Sequence, residues 1–199
     1  MAFVIDHQSP IAVRSSPFTG LEMITLCCTQ KLLRRLRTAK PEAEAVPPTN
    51  ALGNWYANLI QVGRVQMVMA TSERSLLTVL LPAVELRKSL VPNLCRAVDL
   101  LLQELRVDPL RAAAEVEAMR EARIGRTVSR SVLGSMNDLS RLLEWDVREG
   151  RPAMEIMLRL AGVPMTGIVL KDGSHGFPED ATRMLLGLEK RRRSLVSVP

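Results

Sequence analysis

Three short apolar segments, separated by connections of only a few residues, constrain the fold of this chain more than any other feature. They span residues 54–60, 65–70 and 76–81, and their composition predicts β-strands. Gly63 and Arg64 join the first two, and residues 71–74 follow the second. Parallel strands need a crossover of a dozen or more residues, whereas antiparallel neighbours need only a short turn. The spacing therefore predicts an antiparallel meander.

Helical periodicity dominates the rest of the chain. Leucines three and four residues apart over 86–105 predict a helix that Pro92 kinks or splits. Asp108 and Pro109 are typical of an N-cap and first turn, and Thr29 is placed to cap a short helix over 29–36. The predicted fold class is α+β: a small antiparallel β-sheet of three to five strands packed with several helices in a single domain. Further helices are predicted at 153–161 and from 178, and further strands at 23–28, 124–128 and 167–170.

The chain divides into three parts by composition. Residues 1–22 carry Ser-Pro and Thr-Gly pairs without periodicity, which predicts a disordered leader. Met23 is an alternative start, in which case the leader is a gene-model extension. Residues 23–188 are predicted to form the domain, and 189–199 a basic flexible tail.

Composition indicates a cytoplasmic protein. The chain is 47% hydrophobic and 24% charged, as is usual for globular domains. It lacks the roughly 20 consecutive apolar residues of a membrane span, and its first residues do not resemble a secretory signal. Cys27, Cys28 and Cys95 are odd in number and form no CxxC pair, which favours a reduced compartment.

The charge balance gives weak evidence for an acidic partner. The net charge is +6, and 22 of the 27 basic residues are arginine. A basic protein attracts acidic partners, including nucleic acid. A GC-rich coding sequence would produce the same bias toward arginine without any functional meaning.

A polar stretch around Gly134 is the first candidate site. Ser135 and Asp138 fit the capping-box pattern at a helix start, and Gly134 fits a tight turn with positive φ. An arginine beside a helix N-terminus is also suited to bind phosphate or carboxylate. The candidate binding residues of this stretch are Arg130, Ser131, Ser135, Asn137 and Asp138.

The predicted first strand and first helix supply the second group of candidates. Trp55, Asn54 and Asn58 are candidate binding residues: Trp55 is favoured as a core residue, while Asn54 and Asn58 face the other way and are candidates to line a groove. The helix over 29–36 and the residue after it present a basic face, which is either solvated or contacts phosphates. The basic face consists of Lys31, Arg34, Arg35 and Arg37.

Catalytic motifs are lacking. The chain has no GxxxxGK[ST], HExxH or CxxC pattern, which disfavours P-loop hydrolysis, zincin chemistry and zinc fingers, and no cofactor or metal is predicted. A Cys28–His175 pair would need hydrogen-bond contact that no spacing indicates. Asp99, Glu144 and Asp146 likewise show no spacing typical of a metal-dependent nuclease.

Three separated blocks of the sequence stand out together: CTQKLL at 28–33, LGNWYANL at 52–59 and RSVLGSMND at 130–138. They resemble a family of small bacterial proteins classed only as a domain of unknown function. The likeness extends over about residues 23–186. The resemblance implies a compact α+β domain and brings no reaction, cofactor or partner. The leader and the arginine-rich tail depart from the family pattern.

These observations predict a small cytoplasmic binding or regulatory module that engages a protein or nucleic-acid partner and does not span a membrane. The predicted contact surface surrounds Arg130, Asn137 and the sheet. The alternative is an enzyme acting on phosphate-containing or nucleic-acid substrates, associated with a toxin–antitoxin or mobile-element setting. In that alternative Arg130 and Lys31 clamp the substrate and Asp138 is the base. The partner, the substrate and the oligomeric state do not follow from the sequence.

Overall fold

The computed structural model describes residues 3–4, 24–38, 41, 47–84, 86–169 and 175–190, which contain eight strands and six helices. The strands are β1 (Phe3–Val4), β2 (Ile24–Cys28), β3 (Trp55–Val62), β4 (Val65–Ser72), β5 (Thr78–Pro82), β6 (Ala122–Arg126), β7 (Met165–Val169) and β8 (His175–Gly176). The helices are α1 (Gln30–Leu36), α2 (Leu86–Glu104), α3 (Pro109–Ala118), α4 (Arg130–Arg148), α5 (Ala153–Ala161) and α6 (Pro178–Leu185).

A five-stranded sheet, in the order β5-β4-β3-β2-β6, forms the centre of the fold. The predicted meander is confirmed: β3 pairs antiparallel with β4, and β4 with β5. The α+β class is confirmed as well. The sheet is mixed, because β2 runs parallel to both β3 and β6. The chain between β2 and β3 contains α1, and the chain between β5 and β6 contains α2 and α3, so both connections are long enough for parallel crossovers.

Both faces of the sheet are buried. Tyr56 and Met69 lie on one face, and α4 covers it: the Ser129 backbone N–H donates to Tyr56 Oη at 3.2 Å, and Ser140 Oγ lies 3.8 Å from Met69 Sδ. Trp55 lies on the opposite face and is completely buried. Helix α1 contacts β3, and both α2 and α5 contact β5. The apolar core occupies both faces of the sheet.

The N-terminus of α3 forms as the sequence predicts. Asp108 is the N-cap, and its carboxylate accepts from the backbone N–H groups of Leu110 and Arg111. Pro109 occupies the first turn, where its missing N–H costs nothing. In α2, Pro92 lies inside a continuous helix of 19 residues, so it does not split the helix.

The start of α4 differs from the prediction. The helix begins at Arg130 with Ser129 as N-cap, and Ser129 Oγ accepts from the Val132 backbone N–H at 3.3 Å. The Tyr56 hydroxyl accepts from the backbone N–H of the same Ser129, and this N-cap lies six residues before the expected one, Ser135. The predicted capping box of Ser135 and Asp138 is therefore wrong, because both lie inside the helix.

The predicted turn at Gly134 is also wrong. Gly134 lies inside α4, and it is not among the glycines with positive φ. A Cβ at this position would meet no other atom within 4 Å. The chain thus has no steric need for glycine here.

A smaller sheet, in the order β1-β7-β8, includes two residues of the predicted leader. Phe3–Val4 runs parallel to β7, which corresponds to the strand predicted at 167–170. The rest of the 1–22 leader, and residues 191–199 of the predicted tail, lie outside the described residues. Among the helices that are described, none combines the length and the hydropathy that a bilayer span requires.

Candidate functional site

The candidates on α4 separate by exposure. Arg130, Ser131, Asn137 and Asp138 are exposed, whereas Ser135 is buried. Arg130 and Asn137 are seven residues apart, so they lie two turns apart on the same side of the helix. The Asp138 carboxylate forms an exposed ion pair of 3.7 Å with Arg141. Arg130 is therefore accessible to a partner, and its role in binding stays a prediction.

Ser135 lies where α4 crosses β7 closely. A Cβ added to Gly167 of β7 would lie 3.0 Å from Ser135 Oγ and 2.9 Å from Leu76 Cδ1. Real Cβ atoms are not found at such distances in packed interiors. The small side chains of Ser135 and Gly167 thus allow the helix and the strand to approach, which gives Ser135 a packing role.

The candidates on and beside β3 are engaged in the fold. Trp55 is completely buried in the core. Asn54 Oδ1 accepts from the Thr25 backbone N–H at 2.8 Å, and Asn58 Oδ1 accepts from Thr29 Oγ1 at 2.9 Å. Thr29 is the N-cap residue of α1, as predicted, but its hydroxyl donates to Asn58 and makes no cap hydrogen bond. These side chains hold β2, β3 and the start of α1 together.

A basic groove lies where the end of α1 meets the start of α2. It encloses about 350 Å³. Arginine and lysine supply four of its six lining residues, and the other two are apolar. The groove is lined by Arg35, Arg37, Ala83, Leu86, Arg87 and Lys88.

Local backbone structure places these cations together. Helix α1 ends at Leu36 because Arg37 adopts a left-handed conformation with φ of 53°. Arg87, in the first turn of α2, donates from Nε to the Leu36 carbonyl at 2.9 Å. This hydrogen bond ties the end of α1 to the start of α2 and fixes the position of the groove.

The groove carries an uncompensated positive charge within the described part of the chain. No described carboxylate lies within ion-pair distance of Arg35, Arg37 or Lys88. The first turn of α2 has no acidic residue, so its backbone dipole adds to the positive potential. The arrangement is suited to hold an anion.

The sequence indicated two of the four cations that line this groove, as part of a basic helix face, but did not predict the groove itself. Arg35 and Arg37 belong to the predicted basic face, whereas Lys31 and Arg34 are exposed on α1 and do not line the groove. Arg87 and Lys88 were missed. The sequence showed only two cations at the start of a predicted helix. It did not indicate that this start would contact residue 36, 51 positions earlier.

The described residues offer little for catalysis. Cys27 and Cys28 are buried, and burial raises the pKa of each thiol to about 12, so neither is a thiolate at neutral pH. Asp146 is engaged by two arginines, Arg151 and Arg159. Among the residues whose positions are described, no three His, Cys, Asp or Glu side chains cluster as metal ligands would. The side chain of His175 lies outside the described part of the structure.

The chain belongs to a family defined by a domain of unknown function, DUF6933, whose sequence profile matches residues 25–181. This match confirms the family predicted from the three sequence blocks, and it covers every element from β2 into α6 except the first residue of β2. No curated protein and no solved structure matches the chain.

Proposed function

We propose that this protein is a binding module that docks the phosphate backbone of a nucleic acid in the basic groove. The observation that carries the proposal is the convergence of Arg35, Arg37, Arg87 and Lys88 on one concavity. Phosphate contacts from lysine and arginine release counterions and supply most of the affinity in binding that does not depend on sequence. The net charge of +6 favours the same class of partner.

The composition of the groove supports backbone contact over base recognition. Among the residues that the structure describes, no aromatic side chain lines it. Proteins that hold single strands by stacking place aromatic rings against the bases, and this groove offers none. The flexible ends of arginine and lysine suit phosphate oxygens, whose spacing varies little with sequence. We therefore expect weak discrimination between sequences.

A cytoplasmic location accords with this proposal, because nucleic acid is accessible there. The three unpaired cysteines support the same location. A fluorescent reporter fused to the chain and imaged in the native host tests the location directly.

A protein partner on the exposed start of α4 is the second candidate. Arg130 and Asn137 are both exposed on one side of α4, and neither lines the basic groove. Arg130→Gln would then weaken a protein complex and leave nucleic-acid binding unchanged.

The decisive experiment measures binding of the full chain to a fluorescently labelled 20-base-pair duplex by anisotropy over a range of salt concentrations. The groove variant is Arg35→Gln with Lys88→Gln, since neither side chain makes a described hydrogen bond that the fold needs. The control is Arg148→Gln with Lys190→Gln, which removes the same two residue types from exposed positions outside the groove.

We expect the groove variant to bind about tenfold more weakly and to reduce the slope of log affinity against log salt by about two, one for each lost phosphate contact. The control variant should retain most of the affinity. The proposal fails if wild-type protein shows no salt-dependent binding, or if the control loses as much affinity as the groove variant. Binding to an acidic peptide without binding to the duplex would also overturn it.

A further inference from the structure

A second cavity, of about 560 Å³, lies between α2 and α3. We call it the α2–α3 cavity. It shares no lining residue with the basic groove, although α2 contributes to both. Its lining residues are Val91, Pro92, Cys95, Arg96, Asp99, Val116 and Arg120.

The floor of the α2–α3 cavity is apolar. Val91 and Cys95 are one helical turn apart on α2, and Val116 faces them from α3. Cys95 is only 9% exposed, and Val91 and Val116 are partly buried. Burial raises the pKa of the Cys95 thiol, with the charge of Arg120 as the largest opposing influence, so the thiol is a neutral apolar contact. An apolar group entering from solvent would find matching surface on both helices.

The rim of the cavity carries one cation that lacks an ion pair among the described residues. Arg120 pairs with Glu117 at 2.7 Å, and the Asp99 carboxylate accepts from Gln103 Nε2 at 3.0 Å. Arg96 is exposed and has no described carboxylate within ion-pair distance. Its guanidinium offers a planar set of donors above the apolar floor.

We propose that the α2–α3 cavity binds a small molecule that combines an apolar chain or ring with one carboxylate. The apolar part packs against Val91, Cys95 and Val116, and the carboxylate pairs with Arg96. A volume of about 560 Å³ is within the usual range for small-molecule pockets, which join an apolar lining to a few polar groups. The proposal is independent of the function proposed for the basic groove, because no residue is shared.

The test uses decanoate as the acidic probe and 1-decanol as its neutral counterpart, each titrated into the full chain. Methyl resonances of Val91 and Val116 in ¹H–¹³C NMR spectra report occupancy of the cavity. The rate of maleimide alkylation of Cys95 provides a second readout, because a ligand over the thiol should protect it. We expect decanoate to shift both valine methyls and slow the alkylation, and decanol to bind more weakly.

Two variants locate the site. Arg96→Gln should weaken decanoate binding about fivefold and leave decanol binding unchanged, since it removes one charge-assisted contact at an exposed position. Arg148→Gln, an exposed arginine on α4, is the matched control and should change neither. Val116→Trp should fill the cavity and abolish binding of both probes, with thermal unfolding checking that the variant is folded.

The results that would overturn the proposal are distinct. Absence of methyl shifts and of Cys95 protection with decanoate overturns the site itself. Equal affinities for decanoate and decanol overturn the role of Arg96 and the acidic class of the ligand. Unchanged decanoate binding by a folded Val116→Trp variant places the ligand elsewhere.

Discussion

Arg159 Nε donates to Asp146 Oδ2 at 2.8 Å, and so joins α5 to an α4 residue whose side chain is only 2% exposed. Arg159 Nη2 contacts the same oxygen at 2.7 Å, and Arg151 Nε lies 3.2 Å from the other oxygen, Oδ1. Two guanidinium groups from the chain after α4 thus converge on one carboxylate. The arrangement fixes the corner between α4 and α5, where the chain turns at Gly150.

Replacement of Asp146 tests this corner. We expect Asp146→Asn to lower the free energy of unfolding by about 1–3 kcal/mol, because a buried group loses charge-assisted hydrogen bonds. Asp138→Asn is the control, since the ion pair of Asp138 with Arg141 is exposed and should contribute less than about 1 kcal/mol. Urea denaturation measures both. Equal losses in the two variants would show that Asp146 does not hold the corner.

Gly134 offers a test of where α4 begins. Because Gly134 is helical and exposed, Gly134→Ala should raise the free energy of unfolding by about 0.5–1 kcal/mol. Gly150 has φ of 71°, and Gly150→Ala should lower it by about 1 kcal/mol, since alanine tolerates that conformation poorly. Thermal and chemical unfolding of both variants supply the comparison. Destabilisation by Gly134→Ala would restore the turn predicted from the sequence.

The Glu115 carboxylate gives the fold a dependence on pH. It is buried on α3 and accepts hydrogen bonds from Asn50 Nδ2 and from the backbone N–H groups of Ala51 and Leu52. Burial raises the pKa of Glu115 above its ordinary value of 4.5, and the hydrogen bonds and Arg74 oppose the rise without cancelling it. The folded state therefore holds this proton more tightly than the unfolded state does.

A pKa that is raised in the folded state stabilises the fold at low pH. The contribution of Glu115 to the free energy of unfolding is fully present below about pH 4.5, and it is lost as the pH rises through the pKa of the folded state. Glu115→Gln removes this titration. The free energy of unfolding of the wild type minus that of the variant should therefore decrease over the interval in which the pH rises above about 4.5, as followed by urea denaturation at each pH. A difference that widens over this interval would contradict the raised pKa.

The three cysteines should differ in reactivity. Cys27 and Cys28 are 0% and 1% exposed, and burial raises the pKa of each to about 12. Cys95 is 9% exposed and borders the α2–α3 cavity. We expect maleimide to modify Cys95 in the folded protein, and the other two only when the sheet opens.

Peptide mass spectrometry over a time course measures the three rates. In urea all three thiols should react at similar rates, which serves as the control for reagent access. Modification of Cys27 or Cys28 as fast as Cys95 in the folded protein would mean that β2 is more accessible than its burial indicates.

The elements that the sequence predicted well are those with a local cause. The meander followed from short connections, and the N-terminus of α3 followed from Asp108 and Pro109, whose effects act within a few residues. The prediction for the start of α4 was wrong because the contact that stabilises this start is not local. Ser129 is anchored by Tyr56, 73 positions earlier, and no pattern near residue 130 records that contact.

The candidate site divides in the same way. The basic character of α1 could be predicted from residues 31–37, because the cations on a short amphipathic helix are recognised from the local sequence alone. The sequence did not show that Asn54 and Asn58 would form hydrogen bonds within the fold. Their partners, Thr25 and Thr29, lie 29 positions away in each case.

Periodicity, turn spacing and cap residues were enough to establish the α+β class, the meander and most helices, because each depends on interactions between neighbours along the chain. The parallel placement of β2 between β3 and β6, the burial of Ser135 and the joining of Arg35 and Arg37 with Arg87 and Lys88 were decided by packing between distant segments. Such contacts depend on how the helices pack on the sheet. That packing reduces the exposed apolar area of the whole molecule, so it cannot be recognised from any single stretch of residues.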